Sequence, residues 1–410
     1  MSRRIYVNIK GLVQVQNLPE KPLKGKEMAR VPMIENAFLV LENDAVVDFG
    51  PMGKNPSLLA ETKDEIIDLE GRFVLPAFCD SHTHAVFAAP RESEFVDKIN
   101  GLSYEEIANR GGGILNSAKK VDEISESALF EIAKIKVEKI IQSGTGAVEI
   151  KSGYGLNLEN ELKILRVILR LKNEFNIPIR STFLAAHALP LEFKTQKEQY
   201  INHVVNEWIP KVAQEKLADY VDVFCETGYF SIQDMDRIFE AAIQVGMLPK
   251  AHVNQFNVLG GVTTAIQRHA VSVDHLEYLS EEDIEALSSG DTMPTFLPGC
   301  SFYLGLPYGN ARALISKGLP VCLASDFNPG SSPNYNMFFI WSLACIKMKL
   351  SPEEAYNAMT INAAFAMGIE KTHGSIFKGY KGKLIVTPPA PSFAYFPYAF
   401  GENHVECILN

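Results

Sequence analysis

Short apolar runs alternate with longer amphipathic stretches through the middle of the chain, from residue 72 to residue 367. Eight runs have the length of buried strands: 72–78, 145–150, 179–184, 220–224, 247–251, 270–274, 293–297 and 319–324. Stretches with helical periodicity follow most of them: 126–142, 158–174, 197–217, 232–245, 261–268, 280–288, 311–317 and 352–367. This alternation predicts an α/β fold, a (β/α)8 TIM barrel of parallel strands. The alternative is a doubly wound open sheet, but no glycine fingerprint follows the first strand.

The two ends of the chain have a different pattern, in which short strand-like runs are broken by turn residues. These runs are 37–41, 45–49 and 65–69 near the N-terminus, and 382–386 and 394–396 near the C-terminus. We therefore predict a small β-sandwich domain that residues 1–70 and 375–410 form together. The barrel then occupies residues 71–374.

Two histidines follow the first predicted barrel strand at a spacing of two. Side chains at i and i+2 of a strand point the same way, so His82 and His84 project together from one strand end. His252 and Asp326 follow the fifth and eighth strands. The C-terminal strand ends of a barrel meet at one face, where these side chains converge. Three imidazoles and a carboxylate are ligands that zinc or ferrous iron accepts, and we predict one such ion.

An ion at this position would activate a water molecule. It lowers the pKa of bound water toward ~7 and so provides hydroxide near neutral pH. Asp326 has a second role here as the acceptor of the water's proton, and His275 orients the water or stabilises an oxyanion. Lys151, Cys225 and Glu226 could hold a second metal. A core cysteine with polar neighbours is the simpler interpretation, so one metal is favoured.

Further polar residues near these strand ends suit a substrate with a carboxylate. Arg91 lies seven residues after His84 and has the fork geometry that binds a carboxylate with two hydrogen bonds, although a surface salt bridge would explain it equally well. Segment 326–332 offers backbone N–H groups, an amide and hydroxyls beside a metal ligand, or else forms an ordinary Asn-Pro-Gly turn. The glycine run 111–113 is a loop that could close over a ligand.

Several segments together resemble a known family. They are 80–84 with Arg91 and 94–95, 101–114 (GLSYEEIANRGGGI), 149–156 (EIKSGYGL), His187, 222–227 (DVFCET), 274–278 and 325–331 (SDFNPGS). The chain resembles the imidazolonepropionases, a family of the amidohydrolase superfamily, through nearly its whole length. The histidine pair and the aspartate alone would indicate only an amidohydrolase, whereas EIKSGYGL and GLSYEEIANRGGGI are much more specific.

The resemblance implies an activity and a set of site residues. The reaction is hydrolysis of 4-imidazolone-5-propanoate to N-formimidoyl-L-glutamate in histidine degradation, with one zinc or iron ion per subunit. The implied metal ligands are His82, His84, His252 and Asp326. The implied substrate contacts are Arg91, Tyr154, His187 and Gln255, with Asn328, Gly330 and Ser331 at the product or carboxylate end. The family also suggests a homodimer.

One position differs from related enzymes that remove an exocyclic amine. Those aminohydrolases commonly have Glu three residues after the metal histidine, where this chain has Gln255. A glutamine does not exchange a proton at ordinary pH, but it donates and accepts hydrogen bonds to a ring amide. Proton transfer then falls to Asp326 and His275. Two alternatives stay open: an aminohydrolase acting on a guanine- or cytosine-like base, and a non-catalytic metal-binding scaffold.

Composition narrows the expected partners to a small molecule. The 410 residues include 39 Lys and Arg against 49 Asp and Glu, a net charge of −10, so nucleic acid and anionic membranes are not expected partners. No apolar h-region follows the first residues, and no apolar run is long enough to cross a bilayer. The six cysteines contain no CxxC pair, which fits free thiols in a reducing cytoplasm.

Overall fold

The computed structural model describes residues 3–54, 64–102, 106, 110 and 112–409. The strands assigned there are, in chain order, β1 (Arg3–Val13), β2 (Met33–Glu42), β3 (Ala45–Pro51), β4 (Glu65–Asp68), β5 (Phe73–Pro76), β6 (Phe78–Thr83), β7 (Thr145–Lys151), β8 (Ile179–Ala186), β9 (Tyr220–Cys225), β10 (Leu248–Val253), β11 (Ser272–His275), β12 (Met293–Phe296), β13 (Cys322–Leu323), β14 (Leu384–Val386) and β15 (Cys407–Leu409).

Within the described ranges, strands β6 to β13 form an eight-stranded parallel sheet in sequence order. The sheet closes on itself between its first and last strands. The backbone N–H of Asp326 donates to the carbonyl of His82 (N···O 3.0 Å), and the N–H of His84 donates to the carbonyl of Phe327 (2.8 Å). Parallel neighbours require crossover connections, which the helices provide. The predicted (β/α)8 barrel is confirmed.

Helices surround the barrel and connect its strands. They are α1 (Glu92–Ile99), α2 (Ile114–Glu123), α3 (Glu126–Gln142), α4 (Leu158–Glu174), α5 (Lys197–His203), α6 (Ile209–Gln214), α7 (Ile232–Gln244), α8 (Gly261–Gln267), α9 (Glu281–Ser288), α10 (Pro298–Leu304), α11 (Ala311–Ser316), α12 (Met337–Met348), α13 (Pro352–Met359), α14 (Ile361–Ala366) and α15 (Tyr395–Tyr398). Capping boxes at Ser231, Ser280 and Ser351 begin α7, α9 and α13, because each serine and an acidic residue three positions later satisfy each other's backbone N–H.

The apolar run 72–78 divides between two sheets, although its pattern predicts one barrel strand. Its first part is β5, and its last residue begins β6. The change occurs at Ala77, whose N–H donates to the carbonyl of Lys383, whereas the next N–H, of Phe78, donates to Gly144 in the barrel. His82 therefore lies within the first barrel strand, and His84 directly follows it.

Two predicted helices are interrupted. Within 197–217 a π turn spans Val204–Trp208, just before Pro210, which has no N–H to donate. Within 352–367 the break is at Thr360, where φ is −123° and ψ is −85°.

The terminal segments form a mixed sheet beside the barrel. In the ranges the structure describes, β1 pairs antiparallel with β2 and parallel with β4 and β5, and β14 and β15 extend the sheet beyond β5. The seven strands belong to one hydrogen-bonded sheet, where two stacked sheets were predicted. The division at residues 70 and 375 stays a prediction. Strand β5 belongs to the terminal sheet, although its residues lie within the range predicted for the barrel.

Apolar packing lies outside the barrel wall, between strands and helices, and a second apolar cluster lies against the terminal sheet. Charged side chains instead lie inside the barrel, with Glu149, Lys151, Asp222, Lys250 and Asp274 each at most 1% exposed. Buried charges require partners, so this interior is the part of the fold that positions the site. Among the described helices, none combines the length and apolarity needed to cross a membrane.

Candidate active site

The C-terminal ends of the barrel strands bring the four predicted metal ligands together. Asp326 Oδ1 lies 3.5 Å from His82 Nε2 and 3.6 Å from His84 Nε2, and His84 Nε2 lies 3.4 Å from His252 Nε2. Ligands at about 2.0–2.1 Å from a tetrahedral zinc ion are about 3.3–3.4 Å from one another. His82, His84 and Asp326 thus form one group of mutually close donors, which His252 joins through His84, and the three separations match those around a single divalent cation.

The state of these donors also fits a cation. His82 Nε2 is buried and has no hydrogen-bond partner in the described part of the chain. Burial lowers the pKa values of His82, His84 and His252, so their imidazoles are neutral and keep a lone pair. Buried, unpartnered nitrogens are costly unless something binds them. The donor cluster thus indicates a metal ion.

Two buried carboxylates orient the imidazoles of His82 and His252 by binding their Nδ1 atoms. His82 Nδ1 donates to Asp274 Oδ2 at 2.6 Å, and His252 Nδ1 donates to Asp222 Oδ1 at 3.0 Å. With Nδ1 protonated, each ring presents an unprotonated Nε2 to the cluster. Carboxylates in this position fix the tautomer and the orientation of metal-binding histidines.

The barrel seam positions Asp326. The carboxylate of Asp80, two residues before His82, accepts hydrogen bonds from both the N–H and the hydroxyl of Ser325. Asp326 itself has a left-handed backbone (φ 52°), and its carbonyl accepts a hydrogen bond from Asn328 Nδ2 at 2.7 Å. Burial raises the pKa of Asp326 to about 7, against the opposing charge of His275.

His275 ends β11 beside the donor cluster. Its ring lies 5.3 Å from that of His252, and its donor atom falls within 4.8 Å of those of Asp326 and Cys300. Nδ1 of His275 donates to Glu277 Oε1 at 3.2 Å, which leaves Nε2 for the cavity. Burial alone would lower the pKa of His275, but the charge of Glu277 and this hydrogen bond outweigh it and raise the pKa. The ring therefore stays protonated to a higher pH than an ordinary histidine does.

Aromatic and cationic side chains line the cavity beside the cluster. His187 stacks on His84 (centroids 5.1 Å apart, planes at 14°), and its Nδ1 is 3.0 Å from the carbonyl of Gly153. The guanidinium of Arg91 lies 6.0 Å from the ring centre of Tyr154. Arg91 is only 6% exposed, and its Nε and Nη1 have no hydrogen-bond partner among the described residues. Two buried cationic donors are thus available to an anionic ligand.

The turn after β13 packs directly against Arg91. A Cβ added to Gly330 would lie 1.9 Å from Arg91 Nη2, so only glycine leaves room for the guanidinium. Asn328 Oδ1 accepts hydrogen bonds from the N–H groups of Gly330 (2.8 Å) and Ser331 (2.7 Å). The sequence pattern predicted that this turn offers such N–H groups to a carboxylate, but the Asn328 amide already occupies these two. Arg91 is the remaining charged donor at this end, and the Ser331 hydroxyl donates to Asp326 Oδ2 at 3.5 Å.

Gln255 follows His252 by three residues, and its Nε2 donates to Cys300 Sγ at 3.3 Å. Cys300 lies in α10 and is fully buried. This hydrogen bond turns the amide oxygen of Gln255 away from the Cys300 thiol. One cavity contains six of the seven predicted substrate-contact residues, namely Arg91, Tyr154, His187, Gln255, Asn328 and Ser331. Gly330 borders it through Arg91, and the substrate roles of all seven stay predictions.

The residues considered for a second metal have other partners. Lys151 Nζ lies 2.6 Å from Glu149 and 2.8 Å from Asp222. Glu226 accepts hydrogen bonds from the backbone N–H of Phe256 (2.9 Å) and from Asn257, which stabilises the loop after β10. Among the described residues, neither Cys225 nor Glu226 belongs to a group of clustered metal donors. Of the glycine run 111–113, residue 111 lies outside the described residues, as do 103–105 and 107–109 of the family segment.

Sequence reasoning did not assign roles to Asp222, Asp274, Glu277 and Cys300. The first two were detectable in principle, since an acidic residue inside an apolar strand is expensive to bury and must have a partner. Glu277 lies two residues after His275, within a segment of the family resemblance. Cys300 gave no signal, because a buried thiol in an apolar context usually belongs to the core.

Residues 146–394 match the Amidohydrolase family. The match includes His252, His275 and Asp326 and begins after the His82–His84 pair. Over 402 residues the chain is 55% identical to an imidazolonepropionase of Flavobacterium johnsoniae, which covers 98% of this chain and 97% of that protein. The chain belongs to the imidazolonepropionase family. The predicted resemblance is confirmed.

More distant imidazolonepropionases also match over nearly the full chain. Identity is 43% over 385 residues to that of Clostridium tetani (94% of this chain, 92% of that protein). It is 39% over 400 residues to that of Geobacillus kaustophilus (97% and 94%). The family is therefore shown by several relatives along the whole barrel and both termini.

Solved structures share the fold at low identity. The E. coli guanine deaminase has a TM-score of 0.73 and 13% identity, covering 100% of this chain and 97% of that chain. An adenosine deaminase from Xanthomonas campestris with bound zinc has a TM-score of 0.71 and 14% identity, covering 99% and 91%. At such identities the likeness concerns the fold alone.

Proposed function

We propose that this chain hydrolyses a ring amide C–N bond of 4-imidazolone-5-propanoate and releases N-formimidoyl-L-glutamate. One observation carries the proposal: a buried His/Asp donor cluster shares one cavity with Arg91, whose Nε and Nη1 have no hydrogen-bond partner among the described residues. A cyclic amide whose carbonyl lies at the cluster can direct its propanoate toward that guanidinium. Identities of 39–55% to imidazolonepropionases support the same substrate.

One zinc or iron ion per subunit is part of this proposal, bound by His82, His84, His252 and Asp326. When bound, such an ion supplies hydroxide near neutral pH and polarises a carbonyl. Three neutral imidazoles and one carboxylate provide a single negative charge, which suits a divalent cation. Nitrogen and oxygen donors of this kind accept both metals.

The chain's own residues move the protons. Asp326 accepts the proton of the attacking water, because its carboxylate lies among the metal donors, beside the position where that water would bind. His275 donates a hydrogen bond from Nε2 to the oxygen on which negative charge develops, since Glu277 holds Nδ1. Asp326 then returns its proton to the leaving ring nitrogen. Gln255 contributes hydrogen bonds to the ring amide but no proton.

The aminohydrolase alternative requires a proton shuttle where this chain has Gln255. The test is to incubate the metal-loaded chain with 4-imidazolone-5-propanoate and, in parallel, with guanine. We expect loss of the imidazolone absorbance and no ammonia from guanine, with Asp326→Ala as the inactive control. Turnover of guanine instead would establish the alternative. No turnover of either compound by metal-replete protein would favour the non-catalytic scaffold.

A cytoplasmic location and a homodimer complete the proposal. The six cysteines are free thiols, and four of them, Cys79, Cys225, Cys300 and Cys322, are buried. Free thiols of this kind fit a reducing compartment. The homodimer is an expectation from the family, and sedimentation of the purified chain measures it.

A further inference from the structure

Five charged side chains fill the barrel interior directly beneath the metal donors. They are Glu149, Lys151, Asp222, Lys250 and Asp274. Two ammonium groups face three carboxylates, so the cluster has a formal charge of −1. An interior of this kind is costly to assemble, and apolar residues of similar volume would often be as stable. Stability of the fold alone therefore does not account for these five charged side chains.

Lys151 occupies the centre of this cluster. Its Nζ lies 2.8 Å from Asp222 Oδ2 and 3.6 Å from Asp274 Oδ2, and 2.6 Å from Glu149. Asp222 and Asp274 are the same carboxylates that accept hydrogen bonds from Nδ1 of the metal histidines. The ammonium group thus joins the two supporting carboxylates, which come from different strands of the barrel.

The contacts form an unbroken chain from one metal ligand to another. It runs from His82 through Asp274, Lys151 and Asp222 to His252, with successive distances of 2.6, 3.6, 2.8 and 3.0 Å. Without the ammonium group, the two buried carboxylates would repel each other and lose the cation that lies between them. Each would then be free to turn away from its histidine.

We propose that Lys151 is a positioning residue of the metal centre, which fixes the Nε2 atoms of His82 and His252 at metal-binding distance by holding Asp222 and Asp274. This inference rests on the proposed metal centre, and it goes beyond the assignment of the ligands. It also accounts for Lys151 without a second metal. Lys151 touches neither the metal position nor the substrate cavity, so its action passes entirely through the two carboxylates.

Lys250 is a matched comparison within the same cluster. It is also fully buried, and its Nζ pairs with Glu149 and donates to the carbonyls of Ala366 (3.1 Å) and, more weakly, Ser81 (3.4 Å). In the part of the chain that the structure describes, Lys250 forms its ion pair with Glu149, which does not bind a histidine. Removing either lysine takes one buried ammonium from the barrel, but only Lys151 supports the histidine carboxylates.

The test compares the zinc affinity of Lys151→Met and Lys250→Met with that of the wild-type chain, by competition with a chromophoric chelator and without substrate. Outer-shell partners typically change metal affinity 10- to 100-fold, so we expect Lys151→Met to raise the zinc Kd by about that factor. Lys250→Met should stay within about threefold of wild type, although both variants lose thermal stability. Lys151→Arg should recover most of the affinity, because a guanidinium can also bind two carboxylates.

A second readout separates positioning from general damage. In the zinc-saturated Lys151→Met variant, kcat should fall while KM stays within about twofold, since the substrate cavity is untouched. If Lys151→Met does not fold, Lys151→Gln, which keeps a donor and removes the charge, is measured in the same way. Wild-type affinity in the neutral variant, or equal weakening in Lys250→Met, would overturn the proposal. Tight zinc binding by a wild type that does not turn over the imidazolone would refute the proposed function and leave this inference standing.

Discussion

Arg91 offers a sharp test of how the site selects its substrate. Arg91 is 6% exposed, and two of its guanidinium nitrogens have no hydrogen-bond partner in the described ranges. The nearest carboxylate contact is to Glu94 Oε2, at 3.8 Å. Burying such a group costs free energy and contributes little to the stability of the fold. We therefore infer that an anionic ligand compensates this cost. We therefore expect Arg91→Ala to weaken substrate binding and to change stability little.

The size of the effect follows from the two free donors. Hydrogen bonds to charged groups contribute about 1.5–3 kcal/mol each, so losing two costs about 3 kcal/mol at the lower bound. At 1.36 kcal/mol per tenfold, kcat/KM falls on the order of 10²-fold. The propanoate lies away from the scissile bond, so most of this loss is expected in KM. Arg91→Lys keeps the positive charge but lacks the planar guanidinium, so we expect an intermediate, roughly tenfold loss of kcat/KM.

Gly330→Ala perturbs the same guanidinium from the other side. The added Cβ would lie 1.9 Å from Arg91 Nη2 and must displace it, while the backbone of Gly330 has no positive φ to strain. Gly401→Ala is the matched control, because an added Cβ there meets nothing within 4 Å. Steady-state kinetics with the imidazolone and thermal melting are measured for each variant. An unchanged KM in Arg91→Ala, or a melting temperature that falls as steeply as kcat/KM, would refute the reasoning.

Two further predictions concern the chemistry and the fold. His275→Ala should lower kcat by about 10²–10³-fold without unfolding the chain, and near-wild-type turnover would exclude the hydrogen bond to the oxyanion. Burial opposes ionisation of Glu354, but hydrogen bonds from Arg312 and Ser351 outweigh it and lower the pKa of Glu354. The ionised Glu354 contributes about 1–2 kcal/mol to the free energy of unfolding. This contribution is present above the unfolded pKa of about 4.3 and is lost as pH falls through the lower folded pKa. Glu354→Gln should therefore be less stable than wild type at pH 7 and equal to it at pH 2 in denaturant unfolding, whereas a difference that does not depend on pH would contradict the assignment.

The fold and the candidate metal donors could be predicted from the sequence because their signals are local. Apolar runs separated by helical periods predict a barrel, and a barrel brings strand ends to one face. His82 and His84 then follow from the i, i+2 geometry of a strand. The apolar run 72–78 was misassigned for a related reason: both of its halves are buried strands, and only long-range pairing decides that β5 joins the terminal sheet.

The remaining features of the site depend on contacts between distant segments. Gly330 and Arg91 meet across 239 positions of sequence, so no local pattern indicates that glycine is required there. Likewise, Asn328 takes the N–H groups that its turn seemed to offer, which only the folded turn reveals. The partners of Lys151 come from three other positions along the barrel interior. The sequence indicates that such a residue is a buried charge, but it does not indicate which carboxylates the residue contacts.

The most direct test of the account is reconstitution of the metal-free chain. Zinc or ferrous iron is added in steps to chelator-treated protein, and the rate of 4-imidazolone-5-propanoate hydrolysis is followed at each step. The three donor separations of 3.4–3.6 Å that link the four residues predict that activity rises in proportion to added metal and stops rising at one equivalent per chain. Full activity in the metal-free protein, or a rise that continues to two equivalents, would contradict a single metal centre at His82, His84, His252 and Asp326.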